Sequence, residues 1–271
     1  MTADKVVLNT SAAFWLLAAL VGQWAFFYYI AAFYGPSAFT GDFESWNRLV
    51  ALGRTPFVAG NTAGNLAFLA HALGAGIVAF GGALQLMPWI RARAPTFHRW
   101  NGRVFLATVT ALSLSGFYLV WVRRTSPSDV QGFSTTINGV LILAFAYLAY
   151  RAARARNFTV HRRWAMRLYL VSNAQWFLRV GVFGYFVVSQ LLGRKAGMND
   201  PFLHFWTFGC YLVPLAVLEF YLSAKDGDSA FVRFAVAGGL VVITLVMGAG
   251  IFAFAMFSQM LISGAPIAFP G

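Results

Sequence analysis

The chain has 271 residues, of which 59% are hydrophobic, 17% aromatic and only 10% charged, with a formal net charge of +12. That is too little charge to clothe a soluble globule of this size, so the composition places the chain in a lipid bilayer. The basic excess does not call for nucleic acid: no soluble segment interleaves aromatic and basic residues as a nucleic-acid groove does, and anionic lipid headgroups suffice as partners.

A hydrocarbon core of about 30 Å needs about 20 apolar residues in helical form. Seven runs of that kind occur, at Ala13–Tyr34, Gly64–Ile90, Val104–Val122, Phe133–Tyr150, Trp164–Gln190, Phe202–Ser223 and Phe231–Phe257. The expected fold is all-α, a single polytopic membrane domain over residues 1–271 with seven transmembrane helices.

The first run is preceded only by Lys5, lacks a small-residue cleavage pattern and holds Trp15, Trp24, Tyr28 and Tyr29. It reads as a retained span. The connection that follows, residues 35–63, is the one long loop. Its segment "DFESWNRLVALGR" fits equally well a short interfacial helix with Trp46 and Leu49 toward lipid and a structured loop.

The second run, "HALGAGIVAFGGALQ", places His71 roughly 10 Å into its span. Gly74, Ala75, Val78, Gly82 and Gln85 continue the same side, where small residues admit either a flat cofactor or a neighbouring helix. "TFHRWNGR" then precedes the third run and "TVHRRWAMR" precedes the fifth. Each is a Thr-x-His-Arg corner in which the Thr suits a helix cap, the Trp suits the membrane interface, and Arg103 or Arg167 can snorkel to headgroups. Arg99, Arg162 and Arg163 add to this basic face.

Within the fifth run lies Arg179, a charge that costs a few kcal/mol at mid-bilayer and cannot be neutralised by losing its proton. Ser172, Gln175 and Arg179 follow i, i+3, i+7 spacing and so form one polar stripe on a continuous helix. No Asp or Glu lies at comparable depth: Glu219 is about 15 Å away by helix rise. The partners left for Arg179 are a haem propionate, a quinone carbonyl, a lipid phosphate, or backbone carbonyls with Gln175 or Asn173.

The sixth run opens on Asp200-Pro201, an N-cap and N1 pair, with His204 in its first turn. It contains Cys210, the only cysteine, which excludes a disulfide framework. The last run has no Lys for a retinal Schiff base, and its Gly238, Gly239, Gly248 and Gly250 suit lateral helix contacts. His-x-x-x-His, Gly-rich phosphate loops and Gly-x-Ser-x-Gly elbows are missing from the sequence, which leaves hydrolases and nucleotide-driven pumps unsupported.

With odd spans the termini fall on opposite sides. One side carries 13 bases (Lys5, Arg91, Arg93, Arg99, Arg103, Arg151, Arg154, Arg156, Arg162, Arg163, Arg167, Lys225, Arg233); the other carries 6 (Arg48, Arg54, Arg123, Arg124, Arg194, Lys195). Positive charge accumulates in the cytoplasm, so the N-terminus is expected inside and the C-terminus outside a bacterial inner membrane. The second to fifth spans then form two hairpins of a central four-helix bundle, and both His-Arg corners are inner turns.

On this topology His98 and His161 lie in the inner leaflet, with His71 and His204 in the outer. Two histidines per leaflet on different helices match the layout of bis-histidine haem b in bundle cytochromes. No metal site beyond such haem iron is expected.

His71, Gln85, the run His98-Arg99-Trp100-Asn101-Gly102-Arg103, the run His161 to Arg167 and Arg179 together resemble a bacterial family of predicted membrane proteins, domain of unknown function 2306. The likeness spans about Gly64 to Val188; Ala165 between Trp164 and Met166 departs from it, and His204 lies outside it. It implies a multi-span membrane protein and names no reaction. Three functions stay open: a haem- or quinone-associated electron-transfer component, a non-catalytic accessory subunit among other membrane-complex subunits, and a small-molecule or anion transporter.

Overall fold

The computed structural model describes residues 2–52, 56–126, 128–197 and 200–265, and side chains throughout these except at 49–52. Arg54, counted above among the outer bases, lies outside the described residues. Among the described residues the fold is wholly helical: α1 (Ala3–Thr40), α2 (Thr62–Leu86), α3 (Pro88–Arg93), α4 (Pro95–Trp121), α5 (Asp129–Arg154), α6 (Phe158–Ser172), α7 (Ala174–Leu191), α8 (Pro201–Asp226) and α9 (Ala230–Ser263). Six of these, α1, α2, α4, α5, α8 and α9, are long and apolar enough to cross a membrane.

Proline sets the boundaries that hydropathy alone misplaces. The run expected to continue to Ile90 ends as α2 at Leu86, because the residue before Pro88 is driven out of the helical region, and Met87 sits at φ −73°, ψ 113°. Pro88 then opens α3 and Pro95 opens α4, each at a first-turn position where no amide hydrogen is missed. The Thr caps expected at the two corners are not used. Ala94 precedes α4, and α6 is capped by Asn157, whose Oδ1 accepts from Val160 N at 3.1 Å.

The fifth run departs most from expectation: it is two helices, interrupted at Asn173. Ser172 Oγ (3.1 Å) and Asn173 Nδ2 (2.8 Å) both donate to Tyr169 O, and Asn173 N bonds Leu170 O in a tightened turn. Side chains thus occupy a carbonyl that the regular ladder would use. Ser172 is thereby separated from the Gln175–Arg179 stripe it was expected to share.

The residues form two compact units, 1–23 with 174–256, and 24–173 with 257–271. In the larger unit α2 packs on α4, α4 on α5 and α5 on α6, the pairings expected of two hairpins. Its core is Val78, Phe105, Val109, Ala146 and Leu168. In lipid such contacts gain little from leaving water, so close van der Waals fit matters most, and small residues provide it. A methyl at Gly74 would lie 2.9 Å from Leu112, at Gly82 2.7 Å from Phe105, and at Gly139 2.6 Å from Phe117.

The segment after α1 is a 3-10 helix, Glu44–Leu52. Trp46 does not face lipid as the interfacial reading expected. It is 0% exposed, donates its indole N–H to Ser37 Oγ at 2.9 Å and packs on Tyr34, Phe43 and Phe68. An indole pairs its apolar area and its single donor better inside than at an interface when an acceptor is at hand.

In the smaller unit Leu8, Ala224, Ala237 and Leu240 form the core. Asp4 and Arg233, both buried, pair at 2.5 Å, and Arg233 also donates to the carbonyls of Ala224 and Gly227. A base counted toward topology is thus neutralised inside the protein. α8 runs through Pro214, and α7 meets α9 at glycines: a methyl on Gly250 would fall 2.1 Å from Val180 O.

Candidate functional site

His71 is fixed from α4. Its Nδ1 lies 2.9 Å from Ser115 Oγ, and that hydroxyl can give its single hydrogen to Leu112 O at 3.2 Å. With that hydrogen on Leu112 O, Ser115 accepts from Nδ1–H and the lone pair of His71 is on Nε2; with it turned to Nδ1, the other tautomer is held. Gly116 lies alongside: a methyl there would stand 3.5 Å from His71 Cε1. A histidine whose second nitrogen is anchored in this way is oriented as ligand histidines are.

The small residues on the same side of α2 are already occupied. Leu112 fills the space at Gly74, Phe105 and Tyr169 that at Gly82, and Asn101 Oδ1 that at Gly81. Of the two occupants foreseen for this face, a flat cofactor or a helix, the second is in place. Gln85 is engaged too, donating through Nε2 to His98 O at 3.0 Å, with Gly102 leaving it room.

The two corners come together in the larger unit. Asn101 Nδ2 donates to Gly81 O at 2.8 Å, which with Gln85 pins the start of α4 to α2. His161 donates from Nδ1 to Ala149 O at 2.9 Å, since a carbonyl can only accept, so in the neutral ring the lone pair is on Nε2. His98 is close enough to His161, Arg91 and Arg99 for their charges to act on it, and its buried Nδ1 has no hydrogen-bond partner among the described residues.

What the two corners share beyond Thr-x-His-Arg is a stacked cation. The Arg103 guanidinium lies 4.7 Å over Trp100, and Arg167 lies 4.8 Å over Trp164. The signal was present as Trp-x-x-Arg in both segments, a spacing that puts the pair on one helix face. Arg99 donates to Thr96 Oγ1 at 3.0 Å, Arg162 is exposed and Arg163 half-buried.

In the smaller unit, Arg179 turns back on its own helix, with Nη1 donating to Gln175 O at 2.7 Å and to Gln175 Oε1 at 3.4 Å. Backbone carbonyl and Gln175 are among the partners expected of it. His204 is exposed on the first turn of α8. Asp200 does not cap that helix through its side chain; its carboxylate instead accepts from Tyr185 Oη at 2.7 Å and Gly197 N at 2.9 Å. The Tyr185 hydroxyl, and then the Gly197 amide, hold the Asp200 carboxyl below the usual carboxylate range.

Sequence reasoning passed over Arg123, which follows α4 and folds inward. Its Nη2 donates to Asn65 Oδ1 at 2.6 Å and Pro56 O at 2.7 Å, and its guanidinium lies 5.7 Å over Phe68. No local pattern marks a pair 58 residues apart.

Among the described residues no cluster of three His, Cys, Asp or Glu could hold a metal ion. Comparison with curated proteins and with solved structures finds no match. A family model does match, over residues 68–222, which takes in His71, both corners and Arg179. With six membrane-length helices among the described residues, the chain is an integral membrane protein and belongs to the family described as Predicted membrane protein (DUF2306).

Proposed function

We propose that the chain is an electron-transfer component of a bacterial inner membrane, associated with a quinone or haem b. The observation that carries this reading is the anchoring of His71 within the apolar span: Ser115 Oγ holds Nδ1 at 2.9 Å, and the tautomer with Nδ1–H presents a lone pair on Nε2. That nitrogen can accept the hydroxyl proton of a quinol or ligate an iron. The filled α2–α4 seam leaves little width for a porphyrin on that side, which favours a quinone at His71.

Haem b is the better candidate at the inner corners, where the neutral His161 ring has its lone pair on Nε2, His98 is near it, and Arg91 and Arg99, whose charges reach His98, would be the partners for propionates. The topology keeps all seven spans, with α6 and α7 together making the fifth, the N-terminus inside and the C-terminus outside. Arg99, Arg103, Arg162, Arg163 and Arg167 then face anionic headgroups of the cytoplasmic leaflet, with the stacked Trp rings at the interface. His204, exposed at the start of α8, is left to the outer headgroup region.

The test is the purified protein itself. Visible spectra before and after dithionite, with a pyridine haemochrome, read haem; solvent extraction and chromatography read quinone. A cofactor present in the wild type and depleted in His71→Gln or His161→Gln is the expected result. A flat baseline near the Soret region together with a quinone-free extract ends the redox reading.

Two observations support the other functions. The interruption at Asn173 gives the fifth run the broken-helix form found in transporters, with Gln175 and Arg179 in the next turns, so anion-dependent thermal stabilisation that vanishes in Arg179→Gln would favour transport. Gly238, Gly239 and Gly248 face open space on α9, which suits an accessory subunit; purification from native membranes as a monomer would count against it.

A further inference from the structure

Asn138 is a polar side chain that the larger unit buries without using. It lies about 13 Å into α5, is 8% exposed, and its Oδ1 has no hydrogen-bond partner among the described residues. Lipid offers no donor either, so an amide oxygen left this way at membrane depth costs stability. The direction it faces follows from contacts on the same side of α5. Phe145, two turns further along, packs on Trp164, and Ala149 O accepts from His161. The line Asn138, Ile142, Phe145, Ala149 therefore faces α6 and the core of Val78, Phe105, Val109, Ala146 and Leu168.

His71 belongs to the same layer. Gly139 faces Phe117 on α4, and two residues before Phe117 is Ser115, which holds His71, so Asn138 and His71 lie within about one helix turn of each other in depth. α2 and α5 each pack on α4 and α6, which puts the two side chains at opposite corners of a four-helix bundle. Between them α4 contributes only a glycine. Gly116 continues the inward stripe of Phe105, Val109 and Leu112, and a methyl on it would meet, outside its own helix, a single heavy atom of the described residues within 4 Å, His71 Cε1 at 3.5 Å. Gly74, Gly82 and Gly139 are filled by neighbours at under 3 Å; Gly116 is not.

We propose that this layer holds the headgroup of a 1,4-quinol across the bundle, one oxygen on His71 and the opposite oxygen on the Asn138 amide, with the ring against Gly116. The proposal rests on the quinone reading of His71 and supplies a partner for the second oxygen. Hydrogen-bonding groups at opposite corners select a ligand with oxygens at opposite ends. An amide accepts from a quinol hydroxyl through Oδ1 and donates to a quinone carbonyl through Nδ2, so the same residue suits both forms of the headgroup.

The experiment is thermal unfolding of the full chain in mild detergent, titrated anaerobically with the quinol of a decyl-substituted 1,4-benzoquinone and with its two monomethyl ethers, each of which blocks one hydroxyl. A saturable rise in Tm is expected with the quinol, with apparent affinity about tenfold weaker in His71→Gln and in Asn138→Leu. In the wild type each ether should also bind about tenfold more weakly than the quinol. One ether should show no further loss in Asn138→Leu, and the other none in His71→Gln, because the contact each lacks is already gone. Leucine matches asparagine in size and removes an unpartnered buried polar group, so without ligand Asn138→Leu should melt no lower than the wild type. The comparison of ethers on the wild type needs no variant to fold. Quinol binding that weakens in His71→Gln but not in Asn138→Leu, or an ether loss equal in Asn138→Leu and the wild type for both ethers, overturns the proposal and leaves the quinone reading standing. A clear fall in the Tm of ligand-free Asn138→Leu would show that the amide serves the fold, and overturns it too. No rise with the quinol in the wild type ends the quinone reading, and the proposal with it.

Discussion

Gly250 and Gly248 lie two residues apart on α9, and alanine at each should have opposite effects. At Gly248 a methyl meets nothing within 4 Å, so the substitution gains helix propensity alone, about 0.5–1 kcal/mol. At Gly250 the same gain is set against a Cβ 2.1 Å from Val180 O and 3.0 Å from Val180 C. Those are backbone atoms of α7, and restoring contact distance requires a helix to move by roughly 1 Å. Because propensity cancels between the variants, their difference reports overpacking alone, about 1–3 kcal/mol, with the upper end favoured by an unyielding backbone. At about 2–4 °C per kcal/mol for a chain of this size, Gly250→Ala should melt roughly 6–12 °C below Gly248→Ala. Thermal unfolding in mild detergent, followed by tryptophan fluorescence, measures it. Variants melting within roughly 2 °C of each other would refute the α7–α9 contact at this glycine.

Arg156 holds φ +56° after α5, where its amide and that of Asn157 close the helix onto Ala153 and Ala152. Glycine suits that left-handed position, so Arg156→Gly should raise stability by about 1 kcal/mol in the same assay. Asn157→Ala removes the side-chain cap of α6 and should cost about 1 kcal/mol, while Thr159→Ala, two residues later and not a cap, should cost less. Asp200 has a lowered folded-state pKa, so its contribution is present above the ordinary carboxylate pKa and is lost as pH falls through the lowered folded value. Tyr185→Phe should therefore flatten the acid side of a stability–pH profile, and an unchanged profile would remove Tyr185 as the cause.

Hydropathy and the His-Arg repeat were enough to mark six of the seven expected runs as membrane-length helices, pair α2 with α4 and α5 with α6, and indicate the family. Apolar runs of bilayer length can satisfy their backbone only as helices, and short turns leave neighbours little choice of partner. Local chemistry was legible where it is local: the Trp-x-x-Arg pairs stack within one helix turn, and Arg179 finds Gln175 four residues back. What only the tertiary structure decided depends on groups distant in sequence. Ser115 anchors the His71 ring across 44 residues, Arg123 reaches Asn65 across 58, and Asp4 neutralises Arg233 across 229. The break at Asn173 was hidden for a different reason: hydropathy counts side chains, whereas the helix ends because Ser172 and Asn173 both bond Tyr169 O in place of the regular ladder.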